Sequence, residues 1–201
     1  ELHLGRVLER MRAQYKLEVD SHPPTIPYRE TVSQPAEGHH RHKKQSGGAG
    51  QFGEVFLRIS PLTRGEGFRF KDEVKGGAIP GVFIPAVEKG VREVLAAGAI
   101  AGFPVQDIQV TVYDGKTHPV DGKEIAFVTA GKKAFLEAIK NARPIVLEPL
   151  VTLEITVPDT AIGDVSGEIS SRRGQITHTG TARAGMVAIN ARAPLAELSD
   201  F

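Results

Sequence analysis

Residues 39–55 read HHRHKKQSGGAGQFGEV, and within them Gly48-x-Gly50-x-x-Gly53-x-Val55 satisfies a glycine-rich nucleotide-loop pattern. What lies on either side decides its meaning. A dinucleotide loop needs an apolar strand before it and a helix after it, so that helix N-terminal amides meet the pyrophosphate. Here a basic polar run precedes Gly48, and beyond Gly53 the residues Val55, Leu57 and Ile59 alternate with Glu54, Phe56 and Arg58. That alternation is the period of a strand, and the Rossmann reading fails. A kinase glycine loop does lie between strands, but it requires a V-A-I-K lysine, an H-R-D and a D-F-G, none of which occurs in the sequence. Gly115-Lys116-Thr117 matches the tail of a phosphate-binding P-loop, yet Val110 stands where its partner glycine is required.

The chain of 201 residues, 40% apolar and 24% charged, has the composition of one ordinary globular domain or two small ones. No apolar run is long enough to cross a bilayer as a helix. The N-terminal ELHLGRVLERMR lacks a signal peptide's apolar block and carries no initiator Met, so the chain is expected to begin inside a longer protein. The absence of cysteine excludes disulfides and thiolate chemistry, and a cytoplasmic location is expected. The net charge of +1 hides an asymmetry: no acid lies between Glu37 and Glu54, while Arg41, Lys43 and Lys44 stand there among His39, His40 and His42.

Along the chain, Leu4, Val7, Leu8, Met11 and Tyr15 fall at helical spacing, Leu17 to Asp20 reads as a strand, and residues 21–24 as a linker. After an extended piece near Ile26 to Val32, residues 39–53 read as a polar loop. Strands are expected from Glu54, around Phe68 to Val74, and over Ile108 to Tyr113, with helices from about Ile84 to Gly98 and from Glu124 to Asn141. A turn-rich second loop covers residues 114–122. Beyond Pro144, a strand through Leu153, Ile155 and Val157 leads to a helix capped by Asp159 and Thr160 and closed by Arg172, Arg173 and Gly174, followed by strands near Gln175 to Thr179 and Met186 to Ala191. That β-α-β-β order leaves an open sheet expecting a further helix, so the chain reads as cut at both ends.

Adjacent histidines with lysines beside them are poorly placed to converge on one cation, so HHRHKK reads as a solvated loop rather than a metal site. Asp72-Glu73 has no nameable acid-base partner and reads as a solvated strand end. The loops at 39–53 and 114–122 each adjoin a well-patterned strand. The first is basic and glycine-rich, suited to close backbone approach and to phosphate, and the second carries His118. Residue content alone favours two surface loops without a role. Among nucleic acids, contacts to folded RNA backbone suit this composition better than contacts to single strands, for want of exposed aromatic residues.

A series of short stretches runs through the chain in order: Glu1-Leu2-His3-Leu4, Tyr28-Arg29-Glu30-Thr31, Gln45-Ser46-Gly47-Gly48-Ala49-Gly50-Gln51-Phe52-Gly53, Gly76-Gly77-Ala78-Ile79-Pro80, Gly102-Phe103-Pro104-Val105, Tyr113-Asp114-Gly115, Leu147-Glu148-Pro149 and Ser171-Arg172-Arg173-Gly174-Gln175. Together they resemble the C-terminal half of bacterial translation elongation factor G, over essentially the whole chain. The resemblance implies an α+β fold: residues 1–22 as the end of a third domain, 25–144 as a fourth domain with a left-handed β-α-β crossover, and 145–201 as a partial, ferredoxin-like fifth domain.

The resemblance further implies a fragment that is not itself an enzyme and holds no cofactor, in a full-length GTPase that binds GTP and Mg. Its partners would be the ribosome, ribosomal RNA and the tRNA-mRNA duplex, with the chain acting as a monomer during translocation. The residues it assigns to ribosome and tRNA contact are Lys43, Lys44, Gln45, Gly47, Gly48, Gly50, Gln51 and His118. His118 falls where eukaryotic and archaeal relatives carry a modified histidine. The housekeeping factor usually has an arginine where this loop has Ala49, and the HHRHKK segment is also unlike the usual one. Both departures resemble the elongation factor G-like paralogues, for which ribosome recycling or ribosome protection is the alternative to translocation. A freestanding RNA- or metal-binding module is the alternative from a different class.

Overall fold

The computed structural model describes residues 2–22, 24–45 and 50–198, in two compact units. The larger, Pro27–Val151, is built on a four-stranded sheet in the order β2-β3-β5-β4. Its strands are β2 (Ala36–Lys44), β3 (Gln51–Pro61), β4 (Phe68–Asp72) and β5 (Ile108–Lys116). β2 and β5 each run antiparallel to β3, whereas β4 runs parallel to β5 and reaches it through helix α2 (Ile84–Ala97). A long helix, α3 (Glu124–Asn141), follows β5, and a two-stranded antiparallel ribbon joins β1 (Arg29–Val32) to β6 (Pro144–Leu147).

One face of this sheet makes the core. Val55, Leu57 and Ile59 of β3 and Ile108, Val110 and Val112 of β5 are buried against Val87, Val91 and Val94 of α2 and Phe127, Phe135 and Ile139 of α3. α3 lies unusually close to the strands because its inner stripe is Ala126, Ala130, Ala134 and Ala138, all fully buried. Gly38 of β2 completes the approach: a Cβ there would sit 2.0 Å from the Ala134 carbonyl oxygen. The two helices touch in the same way, since a Cβ on Gly90 would lie 2.1 Å from the Val128 carbonyl oxygen.

Two buried carboxylates organise the loops at the far end of the unit. Glu30, 2% exposed, accepts hydrogen bonds from the backbone N–H groups of Ala99 (2.7 Å), Ile100 (3.0 Å), Ala101 (2.7 Å) and Phe103 (3.1 Å), fixing the turn that follows α2 at Gly98. Burial pushes its carboxyl pKa up, but the four amides together outweigh it and hold the group below the ordinary carboxylate value. Asp107 does similar work, accepting from the N–H groups of Gly65 (3.0 Å) and Gly67 (2.9 Å), both of which need positive φ.

The second unit comprises residues 1–26 and 152–201. It holds helix α1 (Leu2–Tyr15) and a three-stranded sheet ordered β7-β9-β8, from β7 (Leu150–Pro158), β8 (Gln175–Arg183) and β9 (Met186–Pro194). Helix α4 (Ile162–Ser171) leads out of β7 and places Ile169 against Ile189 and Ala191. A first strand neighbouring the third, with a helix between the first two, is the split β-α-β arrangement of ferredoxin-like folds. The fold is thus α+β in both units.

Three sequence expectations need correction. Residues 39–44 are not loop but the second half of β2, in register with Gln51 to Phe56 of β3, and Asp114 to Lys116 likewise belong to β5. Leu17 to Asp20 forms no strand, since no partner among the described residues pairs with it. Asp159 and Thr160 do not cap α4: they lie in a short 3₁₀ turn, Asp159–Ala161, with no side-chain cap bond. Pro23, within the expected linker, lies outside the described residues.

Glu30→Gln is expected to destabilise the chain by roughly 2 kcal/mol near neutral pH, by weakening charge-assisted bonds to buried amides. Because the folded pKa is depressed, this stabilisation is present above the unfolded carboxylate value and is lost as pH falls through the folded one. Urea midpoints of wild type and variant should therefore converge in acid; a constant gap would place the effect elsewhere. Gly90→Ala should cost about 1–3 kcal/mol by forcing α2 and α3 apart.

Candidate nucleic-acid interface

Strand directions gather several segments at one end of the four-stranded sheet. β2 ends there at Lys44 and β3 begins there at Gln51, paired in register. β5 also ends there, and residues 117–123 lead from it to the N-terminus of α3. The two connections are tied together by backbone: the Phe52 N–H donates to the Asp121 carbonyl at 2.7 Å, and Phe52 bridges Gly122 in parallel sense. The Phe52 and His118 rings lie 6.2 Å apart, centre to centre. Gly50 runs against Asp121 so closely that a Cβ would fall 2.4 Å from the Asp121 carboxylate.

His118 is held by its own loop. Its Nδ1 lies 3.3 Å from the Val120 N–H and 3.2 Å from the Asp121 N–H, accepting from both, and the same nitrogen is 3.5 Å from the Asp121 carboxylate. Acceptance at Nδ1 assigns the proton of the neutral ring to Nε2. The side chain is 51% exposed, so that donor is available to a partner.

Beneath the basic strand lies a buried acid. Glu54 is 2% exposed, and its Oε1 meets His39 Nε2 at 2.8 Å and Arg41 Nη2 at 3.1 Å. Burial drives the Glu54 pKa up, but hydrogen bonds and charge from Arg41 and His39 overcome it and hold it below the ordinary value. His40, on the opposite face beside α3, is lowered by burial first and then by Lys133, His42 and His39, so it carries less charge than an ordinary histidine. His42 spends its Nε2 on the Gln51 side-chain oxygen at 3.2 Å. The three histidines therefore do different things, and no group of metal-binding residues occurs among the described residues.

Two family models cover the chain: "Elongation factor G, domain IV" over residues 24–143 and "Elongation factor G C-terminus" over 145–201. The chain belongs to the elongation factor G family. An elongation factor G-like protein of Thermotoga maritima is 44% identical over 200 residues, which cover 100% of this chain and 29% of that relative. A crystal structure of a protein from Thermus thermophilus superposes with a TM-score of 0.87 at 38% identity, over 100% of this chain and 30% of that one. The chain thus spans under a third of the proteins it matches.

Of the residues singled out by sequence, Lys43, Lys44, Gly50, Gln51 and His118 come together at this sheet end, with Gln45 following Lys44 directly. Gly47 and Gly48, with Ser46 and Ala49, lie outside the described residues. Sequence reading missed Asp121, Phe52 and the Arg41–Glu54–His39 cluster. The Asp121-Gly122 turn pair was the one visible signal; the rest depends on cross-strand register.

Arg41→Ala should destabilise the chain by about 1–3 kcal/mol near neutral pH, by leaving the buried Glu54 carboxylate with one partner fewer. The deficit should shrink as pH falls and Glu54 protonates, an outcome read from urea midpoints across the acid range.

Proposed function

We propose that this chain is the part of a translational GTPase of the elongation factor G type that enters the decoding centre and promotes movement of tRNA and mRNA. The observation that carries the reading is the backbone tie between Phe52 and Asp121, which makes one surface of the basic hairpin and the His118 loop. Lys43, Lys44 and Gln45 supply charge and hydrogen bonds to phosphate, and glycines 47, 48 and 50 allow backbone to approach RNA. Gln51 and the Nε2–H of His118 add neutral donors. The work is positioning rather than bond chemistry. GTP binding with Mg, and its hydrolysis, are assigned to the rest of the full-length protein, acting as a monomer on the ribosome in the cytoplasm. No helix among the described residues is long and apolar enough to cross a membrane.

The domain reading accompanies this: residues 25–144 as the fourth domain that makes these contacts, 1–22 as the end of the third and 145–201 as the fifth. A second reading has its own support. Ala49 stands where the housekeeping factor usually has arginine, and the Thermotoga maritima relative is named elongation factor G-like. Loss of one arginine contact is worth about 1–3 kcal/mol. On that reading the full-length protein acts in ribosome recycling or protection instead.

His118→Ala in the full-length protein should slow one-codon movement of mRNA on ribosomes carrying peptidyl-tRNA, while ribosome-dependent GTP hydrolysis stays unchanged. Equal losses in both would contradict a role at the decoding centre. GTP hydrolysis by the wild type without any mRNA movement would select recycling or protection. Replacing Lys43 and Lys44 together by Ala should weaken ribosome binding and flatten its salt dependence by up to about two logarithmic units per logarithm of salt. An unchanged slope would rule out phosphate contact by these lysines.

A further inference from the structure

The helices cover only one face of the four-stranded sheet. Gly53, Val55, Leu57 and Ile59 point inward, so Phe52, Glu54, Phe56 and Arg58 of β3 point the other way. Register brings Glu37, His39, Arg41 and Lys43 of β2 and Thr111, Asp114 and Lys116 of β5 to the same outer face, with Lys71 of β4 beside Thr111. Tyr113 joins them at an irregularity in the β3–β5 pairing.

This outer face is aromatic. The His39 ring stacks on Phe56 at 4.0 Å and 17°, and Tyr113 lies 6.4 Å from Phe56 on the other side. The Arg58 guanidinium sits over Tyr113 at 5.7 Å. Phe52 continues the row toward the sheet end that carries His118. His39, Arg41 and Arg58 keep 44%, 53% and 48% of their side chains exposed, and Phe56 and Tyr113 are only half-buried. Lys43, Lys71 and Lys116 are exposed and have no ion-pair partner among the described residues.

We propose that this outer sheet face binds an unpaired RNA strand, with bases stacked on the Phe56–Tyr113 row and the phosphates met by Lys43, Lys71 and Lys116. Stacking of bases on aromatic residues, flanked by basic side chains on an open four-stranded sheet, is how single-stranded nucleic acid is held without sequence readout. Lys43, Lys71 and Lys116 leave the face a small positive excess over Glu37 and Asp114, and the aromatic row points to stacked bases rather than to an acidic protein partner. Sequence composition points instead to folded RNA backbone, because nothing in the linear order shows three rings converging on one open face. The choice of RNA rests on the ribosome-binding reading; the site itself rests on the sheet.

The test uses the 201-residue chain and a fluorescein-labelled oligouridine, followed by anisotropy, with an RNA hairpin as the paired control. Oligouridine should bind more tightly than the hairpin. Phe56→Leu with Tyr113→Leu keeps apolar volume but removes the stacking faces, and should weaken oligouridine binding about fivefold or more. Lys44→Ala with His118→Ala, at the sheet end, should weaken that binding less than the leucine pair does. Equal affinity for hairpin and oligouridine, or loss only in the Lys44 and His118 variant, overturns the sheet-face site while leaving the decoding-centre reading to its mRNA-movement assay. Should the leucine variant fail to fold, photocrosslinking of bromouridine RNA to the wild type decides. Adducts on peptides containing Phe56 or Tyr113 support the proposal, and adducts confined to residues 45–51 overturn it.

Discussion

The close seating of α3 on the sheet is the constraint from which the rest of the larger unit follows. Alanines 126, 130, 134 and 138 and the bare Gly38 let helix and strand backbones approach almost to contact. Because α3 and α2 also meet through Gly90, the two helices form one layer that shields a single face of the sheet. A layer packed this tightly has few ways to relax, so its geometry is transmitted to whatever leaves its ends. The loop of residues 117–123 leaves from the α3 N-terminus, and its position is therefore set by the core.

That loop gives the sheet end its chemistry. The Phe52–Asp121 bond joins segments about seventy residues apart in sequence, bringing the half-exposed His118 to the sheet end where β2 closes with Lys43 and Lys44. The buried Glu54 pairs with Arg41 and His39 at the centre of the same strands, while Lys43 and Lys44 close β2 with exposed side chains. Under the proposed function such an end is a positioning device, with binding energy from phosphate contact and geometry from packing. The outer face, left open by the one-sided helix layer, is the consequence of the same constraint. Aromatic side chains half-buried there are held by neighbours rather than by a core.

Much of this was legible in the linear chain. Alternation in 54–59 and 108–113 and helical spacing in 84–97 and 124–141 require only the local period of apolar residues, and these elements stand where the pattern puts them. The ordered motifs gave the family. The basic run at 39–44 did not read as a strand, because its alternation is of polar residues on both faces: His40 and His42 turn toward α3, and His39, Arg41 and Lys43 away. Polar alternation carries no hydrophobic signal, and only pairing with β3 makes it a strand.

The sequence by itself determined the element periods, the exclusion of dinucleotide, kinase and P-loop chemistry, the absence of cysteine chemistry, and the residues from which a basic surface could be made. Tertiary structure alone decided which of them meet. Glycine 53 belongs to a nucleotide-loop pattern in one dimension and to helix-sheet packing in three, with a Cβ there 3.1 Å from Ala126. Glu54 looks like one polar member of an alternating strand and is in fact a buried anion whose partners come from β2. Phe52, Phe56 and Tyr113 form a row only through register between β3 and β5. Local period is written by neighbours in the chain, whereas burial, ion pairing and surface identity depend on residues brought together across it.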